Sequence, residues 1–149
     1  MTEEELLEKI EQAAAEGATE LDLSGNELTV LPVEIGKLTQ LKKLILGKYD
    51  KNVGYIGNKL SELPKEIGLL VQLEELQIAD NQLSSLPAEI GQLTKLQRLD
   101  LSRNNLSSLP AEIAQLTNLQ ELYISDKQLR SKPANIEQLT NVTELKIIY

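Results

Sequence analysis

Apolar residues, most of them Leu, recur along this chain in one fixed order. The order repeats with a period of 23 residues, and only the second copy needs an insertion, of nine residues, to stay in register. The units are 18–40, 41–72 with the insertion at 49–57, 73–95, 96–118, 119–141 and the partial 142–149. The pattern therefore predicts five similar structural units and the start of a sixth, preceded by a separate segment, 1–17.

Each unit is predicted to form one coil. In unit four, Leu99 and Leu101 alternate with polar residues, as in a short strand. Asn104 follows at a bend, and Pro110 begins a return segment in which Ile113 lies at a helix-like or 3₁₀-like spacing. No single coil can bury its apolar edge, so the coils must stack on one another.

An Asn recurs at the ninth position of the first four units. The members of this Asn column are Asn26, Asn58, Asn81 and Asn104. An amide at a bend can donate to, and accept from, backbone groups that are unpaired where a strand ends. We therefore expect a structural role for the Asn column rather than ligand binding.

The units resemble the leucine-rich-repeat family, in its 23-residue class with the pattern LxxLxLxxNxLxxLPxxIxxLxx. The resemblance covers 18–149 and implies an α/β fold, a right-handed solenoid or horseshoe with a parallel sheet on its concave face. It also implies binding of a protein, most often on that concave face. Residues 19–41, TELDLSGNELTVLPVEIGKLTQL, with the acidic helix before them and the interrupted unit after them, look similar to the N-terminal repeats of bacterial Roco-type GTPases. The chain contains no GxxxxGK[ST] nucleotide-binding motif.

The first segment is predicted to be a helix that covers the open apolar layer of unit one. Thr2 and Glu5 have the spacing of a capping box, three Glu lie in the first turn, and Gly17 suits the helix end. Leu6 and Ile10 belong to one apolar face. The alternative is a helix that binds another protein.

Unit five departs from the pattern. Lys127 replaces the Asn of the column, and Lys132 replaces a core Leu, so this corner is expected to be open to solvent. The final strand, 142–148, is not followed by a capping segment. Either the chain is a fragment of a longer protein, which we favour, or the strand pairs with a partner, for example in a homodimer.

Composition limits the chemistry. The chain has no His and no Cys, so the commonest general base, thiolate nucleophiles and thiolate metal ligands are missing. We expect no enzymatic activity, no cofactor and no metal. The net charge of −8 disfavours nucleic acid and anionic membranes as partners. The acidic N-terminus does not resemble a signal peptide, which favours a cytoplasmic location.

Charges alternate in sign along two columns of outward-facing positions, from unit two to unit five. The third-position column is Glu20, Lys43, Glu75, Arg98, Glu121 and Glu144, and the eighth-position column is Gly25, Lys48, Asp80, Arg103 and Asp126. Neighbouring strands lie about 4.8 Å apart, so we expect ion pairs between adjacent units. Much of the concave charge would then be neutralised internally.

The insertion and the middle of the concave face are the predicted recognition surface. Breaks in a solenoid's period often carry its specificity, and Tyr is enriched among binding hot spots. The predicted partner-binding residues are Ile45, Tyr49, Tyr55, Ile56, Gln77, Asp100 and Tyr123. Replacing Tyr55 and Ile45 with Ala should weaken partner binding and leave thermal stability nearly unchanged. The insertion could equally be a neutral loop or a small hairpin folded over the neighbouring coil, and single exposed apolar residues are common.

The function that these features favour is a non-catalytic protein–protein recognition module, regulatory in role and one part of a larger intracellular protein. The alternative is a structural, self-associating or engineered solenoid with no external ligand.

Overall fold

The computed structural model describes residues 1–125 and 144–148 and shows an α/β solenoid. An N-terminal helix, α1 (Glu3–Glu16), precedes the coils. The strands are β1 (Glu20–Asp22), β2 (Lys43–Asp50), β3 (Gly54–Ile56), β4 (Glu75–Ile78), β5 (Arg98–Asp100), β6 (Glu121–Ser125) and β7 (Glu144–Ile148). The return limbs contain 3₁₀ segments at Val33–Lys37, Lys65–Leu69, Ala88–Gln92 and Ala111–Gln115.

One strand from each unit joins a parallel sheet in the order β1-β2-β4-β5-β6-β7. The strands are paired in register, so that Glu75, Arg98 and Glu121 lie side by side on three neighbouring strands. β3 stands outside this order and pairs antiparallel with the end of β2. The concave parallel sheet and the N-terminal helix confirm the predicted fold class.

The core is a stack of aliphatic layers between the sheet and the 3₁₀ segments. Leu76 and Leu99, which face inward from β4 and β5, are completely buried, as are Ile67 and Ile90 on the return limbs. Each 3₁₀ segment follows a Pro with extended backbone, which fixes the direction in which the chain turns back.

The return limbs pack closely because a Gly occupies the nineteenth position of the first three units. A Cβ atom on Gly91 would lie 2.7 Å from the carbonyl oxygen of Glu112 in the next coil. Gly68 has the same relation to Glu89, at 2.8 Å. These positions need Gly because the backbone of the following coil fills the space of a side chain.

The Asn column has the predicted structural role. The Asn104 amide nitrogen donates to the carbonyl oxygens of Ile78 (2.7 Å) and Leu101 (3.2 Å), and its oxygen accepts from the Leu83 N–H (3.0 Å). Asn58 and Asn81 bond the backbone in the same way and are buried. Each amide therefore links its own bend to the preceding coil.

α1 covers the end of the solenoid as its sequence predicts. The Thr2 hydroxyl accepts from the Glu5 N–H at 3.1 Å, and Gly17 ends the helix with a φ of 61°. Leu6 and Ile10 are buried in the same core cluster as the Leu residues of unit one. No helix in the described part of the chain has the length and apolar character needed to cross a membrane. The predictions for Lys127 and Lys132 lie outside the described residues.

Candidate functional site

The insertion of unit two forms a β-hairpin. Its arms, the end of β2 and β3, pair Lys48 with Ile56 and Tyr49 with Tyr55. The Asp50 carboxylate closes the turn by accepting from the N–H groups of Asn52 (2.8 Å) and Val53 (3.2 Å). Gly54 follows with a φ of 91°, a backbone conformation that residues with a side chain rarely adopt. We call residues Lys48–Ile56 the unit-two hairpin.

Two glycines allow the hairpin to leave the solenoid and return to it. A Cβ atom on Gly47 would lie 1.7 Å from the Ala79 carbonyl oxygen, and one on Gly57 would lie 1.6 Å from the Asp80 carbonyl oxygen. The Gly57 carbonyl accepts from the Gly25 N–H at 3.0 Å, which restores the solenoid's hydrogen bonding after the excursion. Unit three therefore packs directly against both ends of the hairpin.

The two faces of the hairpin are tied to different units. On one face, the Lys48 ammonium lies 2.5 Å from the Asp22 carboxylate of unit one, and Ile56 packs over Gly25. On the other face, the Arg103 guanidinium of unit four lies 4.7 Å from the centre of the Tyr55 ring. Arg103 also pairs with Asp80 at 3.2 Å. These contacts make the hairpin a fixed part of the surface rather than a free loop.

Although the hairpin is anchored to neighbouring units, it exposes large aromatic and apolar side chains to solvent. Tyr49 packs edge-on against Tyr55, with 5.1 Å between the ring centres, yet 62% of its surface is exposed. Val53 at the turn is 71% exposed. Tyr55 and Ile56 are half-buried because each covers part of a neighbouring unit.

The predicted charge pairing in the third-position column is present. Lys43 lies 3.4 Å from Glu75, and Arg98 lies 3.6 Å from Glu121. Arg98 also lies over the Tyr123 ring at 5.1 Å, and the Tyr123 hydroxyl donates to Glu121 at 3.1 Å. These charges neutralise one another within the sheet.

The eighth-position column pairs only in part as predicted. Arg103 bonds Asp80, but Lys48 bonds Asp22 of unit one and not its column neighbour Asp80. The physical reason is that Lys48 is a residue of the hairpin and lies on the hairpin face that packs against unit one. Asp126 lies outside the described residues.

The remaining predicted recognition residues form a row across the sheet. Ile45, Gln77, Asp100 and Tyr123 are aligned on four consecutive parallel strands. Ile45 lies on β2, four residues before Tyr49 of the hairpin. The sheet therefore presents the seven predicted residues as two groups, one on the hairpin and one along the floor of the concave face.

Most of the floor is less accessible than the sequence pattern indicates. Ile45 is 6% exposed, Asp100 6% and Gln77 9%. Each has a side chain of the same column about 4.8 Å away on both sides, and these neighbours cover it. The expectation that Ile45 faces water is wrong, and its replacement with Ala is expected to reduce stability, by about 2–5 kcal/mol for a buried Ile.

Two Asp residues of the same column have the same local arrangement. Asp22 accepts from the Ser24 N–H (2.9 Å) and hydroxyl (2.6 Å), and Asp100 accepts from the Ser102 N–H (3.0 Å) and hydroxyl (2.6 Å). Burial raises the pKa of Asp22, but hydrogen bonds from Lys48 and Ser24 outweigh it and bring the pKa below its ordinary 3.8.

Three residues of the site were not singled out by the sequence for recognition. Arg103 and Lys48 belong to the eighth-position charge column, and Val53 lies within the insertion without a pattern of its own. Arg103 has a φ of 56°, unusual for a residue with a side chain, and this left-handed backbone is shared by Asp80 and Gly25 at the same position of their units. The Gly at this position of unit one is the only sequence signal of that conformation.

Among residues 1–125, no group of three or more Asp or Glu side chains is arranged to hold a metal ion. The surface offers a shallow sheet floor with paired charges and an exposed, fixed hairpin. Such an arrangement suits contact with another macromolecule.

Comparison with known families agrees with the repeated coil. The model described as "Leucine-rich repeat region" matches residues 51–149, and the model described as "Leucine Rich Repeat" matches residues 18–38. The chain belongs to the leucine-rich-repeat family. No curated protein matches it.

Solved leucine-rich-repeat structures are similar over most of the chain. A leucine-rich-repeat protein of Leptospira interrogans is 41% identical, with a TM-score of 0.62 over 91% of this chain and 38% of its own. The plant peptide hormone receptor RGFR1, in complex with RGF2, is 35% identical, with a TM-score of 0.69 over 91% of this chain and 22% of its own. Internalin C2 of Listeria monocytogenes, at 24% identity and a TM-score of 0.72 over 91% of this chain and 54% of its own, shares the fold.

This leucine-rich-repeat chain thus spans 38% of the length of the Leptospira protein. Leucine-rich-repeat domains generally mediate protein–protein interaction, and no catalytic family is indicated for this one.

Proposed function

We propose that this chain recognises another protein or peptide through the unit-two hairpin and the adjoining concave floor, without catalysis. The observation that carries the proposal is the hairpin itself, which is anchored to units one and four and still exposes Tyr49 and Val53. A fixed aromatic side chain binds at a low entropic cost because little freedom remains to be lost.

The arrangement of the predicted recognition residues gives them different roles in the proposal. Tyr49 and Val53, the exposed apolar residues of the hairpin, make direct contact with the partner, while Tyr55 and Ile56 hold the hairpin against the neighbouring units. Ile45 and Gln77 form the largely buried part of the floor nearest the hairpin, and Asp100 and Tyr123 lie further along it. RGFR1, a leucine-rich-repeat receptor solved with the peptide RGF2, supports a protein or peptide as the class of partner.

We further propose that the chain acts in the cytoplasm as the regulatory or partner-binding part of a larger protein. The 23-residue pattern and the resemblance of residues 19–41 to the repeats of Roco-type GTPases support this context. A P-loop motif encoded after Tyr149 would support the Roco assignment, and cell fractionation of the intact gene product tests the location.

Photo-crosslinking tests the recognition surface. Benzoylphenylalanine placed at Tyr49 in the intact protein, expressed in its own cells, should crosslink to a discrete partner. The matched control is the same group at Val71, which is 45% exposed on the return limb of the same unit. Equal crosslinking from both positions would count against the hairpin.

Once the partner is identified, Tyr49→Ala should weaken its binding at least about tenfold, as expected of an aromatic hot spot worth ~2 kcal/mol. Because Tyr49 is mostly exposed, the melting temperature of the Tyr49→Ala variant should stay near that of the unaltered protein. Unchanged affinity for Tyr49→Ala, measured by titration calorimetry, would overturn the proposal.

The self-associating alternative rests on β7. Glu144–Ile148 pairs with β6 along one edge, and no strand in the described residues pairs with its other edge. An open parallel edge is a template for further pairing. A stable dimer in light scattering, lost when Pro replaces Lys146, would favour this alternative over an external partner.

A further inference from the structure

Asp22 and Asp100 begin the same three-residue sequence, Asp-Leu-Ser, at the same position of units one and four. In both, one carboxylate oxygen, Oδ1, accepts two hydrogen bonds from the Ser. In unit one the other oxygen, Oδ2, accepts from the Lys48 ammonium at 2.5 Å. Unit one therefore shows the complete arrangement, with an ammonium group as its third donor.

Unit four has the same carboxylate without that donor. Oδ2 of Asp100 accepts no hydrogen bond from any residue in 1–125. Lys48 occupies the eighth position of the unit after Asp22, whereas the sequence has Asp126 at the eighth position of the unit after Asp100. An acidic residue cannot supply the donor that Lys48 supplies in unit one.

The cations of the two charge columns are already committed. Lys43, Lys48, Arg98 and Arg103 each lie within 3.6 Å of an acidic side chain other than Asp100. The concave face of the described units is therefore left with Asp100 as a negative charge that is not ion-paired and is only 6% exposed. A carboxylate of a largely buried residue gains more from a cation than a fully exposed one does, because water screens the attraction less.

We infer that Asp100 receives the ammonium group of a Lys side chain from the protein that this chain recognises. The inference rests on the proposed recognition function and adds one chemical feature of the partner. Lys suits the position because its unbranched stem can reach the floor between Gln77 and Tyr123, which flank Asp100 in register. The same ammonium–carboxylate contact already exists at Asp22.

Carboxyl-detected NMR on the intact chain tests the inference with a defined probe, the capped tripeptide acetyl-Gly-Lys-Gly-amide. The expected result is a saturable shift of the Asp100 carboxyl carbon, and no such shift with the norleucine analogue of the peptide. Asp100→Asn should weaken binding about tenfold or more, since it removes a charge-assisted hydrogen bond. Asp22→Asn is the matched control and should leave the affinity for the probe unchanged.

A second variant keeps the test independent of whether Asp100→Asn folds. Lys48→Met removes the internal donor of Asp22, so the Lys peptide should then shift the Asp22 carboxyl as well and bind at two sites instead of one. Absence of a shift at Asp100 in the unaltered chain, or equal binding of the norleucine peptide, would overturn the inference. Tighter binding of spermidine than of the Lys peptide would also overturn it, in favour of a free polyamine.

The outcome is separate from that of the recognition proposal. Crosslinking at Tyr49 with no peptide binding at Asp100 would leave the hairpin function in place and remove the Lys anchor. Peptide binding at Asp100 without a crosslink at Tyr49 would leave the Lys-binding site in place and count against recognition by the hairpin.

Discussion

Individual charged side chains on the sheet mostly bind one another. Lys43 and Arg98 each pair with a Glu on the next strand, and Lys48 pairs with Asp22 across the base of the hairpin. Pairs of this kind on a partly exposed surface contribute little to stability, about 0.2–1 kcal/mol each. Their larger effect is to remove single-sign charge from the concave face, so that the shape and the unpaired groups decide what binds.

The Asp22 pKa should depend on Lys48. In the unaltered chain this pKa is below 3.8, so Asp22 contributes stability above its unfolded-state pKa and loses it as the pH falls through the folded-state value. Lys48→Met removes the leading hydrogen bond that lowers the pKa, and the pKa should rise because burial then has less opposition. The carboxyl-carbon titration of Asp22 measures the change.

The control for this titration is Lys59→Met, which removes an ion pair with the highly exposed Glu27 and should leave Asp22 unaffected. An Asp22 titration curve that is the same in Lys48→Met and in the unaltered chain would show that the ion pair does not set the pKa.

At the residue scale, the sequence predicts the side-chain contacts that follow from regular pairing of the strands. It fails to predict contacts where the hairpin interrupts that regular pairing. Lys43 with Glu75 and Arg98 with Glu121 follow from in-register parallel strands. The partner of Lys48 could not be predicted, because it depends on the direction of a hairpin that has no counterpart in the other units. The burial of Ile45 was missed because alternation along a strand does not report how closely side chains of neighbouring strands cover one another.

At the scale of elements, the 3₁₀ segments of adjacent units pack closely because Gly occupies the nineteenth position of the first three units. Gly91→Ala would bring a methyl group within 2.7 Å of the Glu112 carbonyl oxygen. Ala has the better helical propensity by about 0.5–1 kcal/mol, but overpacking against backbone costs about 1–3 kcal/mol. We therefore expect a net loss of up to about 2.5 kcal/mol in the free energy of unfolding, measured by urea denaturation.

The control variant is Ala88→Ser, an exposed change in the same 3₁₀ segment, which should alter the unfolding midpoint little. A midpoint for Gly91→Ala that equals or exceeds that of the unaltered chain would mean that the coils can move apart at no cost.

The elements of the regular coil could be predicted because strand, bend and return limb each have a residue signature that recurs. Asn104 marks the bend, and Pro110 marks the start of the return limb. The sequence of the insertion is compatible with both a neutral loop and a small hairpin, and does not decide between them. Its decisive features are the pairing of Tyr49 with Tyr55 and the support from Arg103, a residue 48 positions away from Tyr55 in sequence.

At the scale of the whole molecule, the solenoid depends on the coverage of its first apolar layer. Ile10 of α1 is fully buried, and Lys37 of unit one pairs with Glu11 at 2.5 Å on the helix surface. Ile10→Ala should destabilise the chain by about 2–5 kcal/mol. Hydrogen exchange should show the loss of protection first in unit one, at the Leu23 N–H, and last in unit three.

Glu8→Ala, on the exposed face of the same helix, serves as the comparison and should leave exchange unchanged. Uniform loss of protection through units one to four in Ile10→Ala would contradict a capping role confined to the first layer.

The hairpin also bears on the cooperativity of folding. Solenoid energetics are usually a sum of terms between adjacent units, which lets an array fray from either end. Here a single element of unit two contacts unit one through Lys48 and unit four through Tyr55, and so couples units that are not neighbours. These contacts should therefore make units one to four unfold more cooperatively than terms between adjacent units alone would allow, and should steepen the denaturant dependence of the transition.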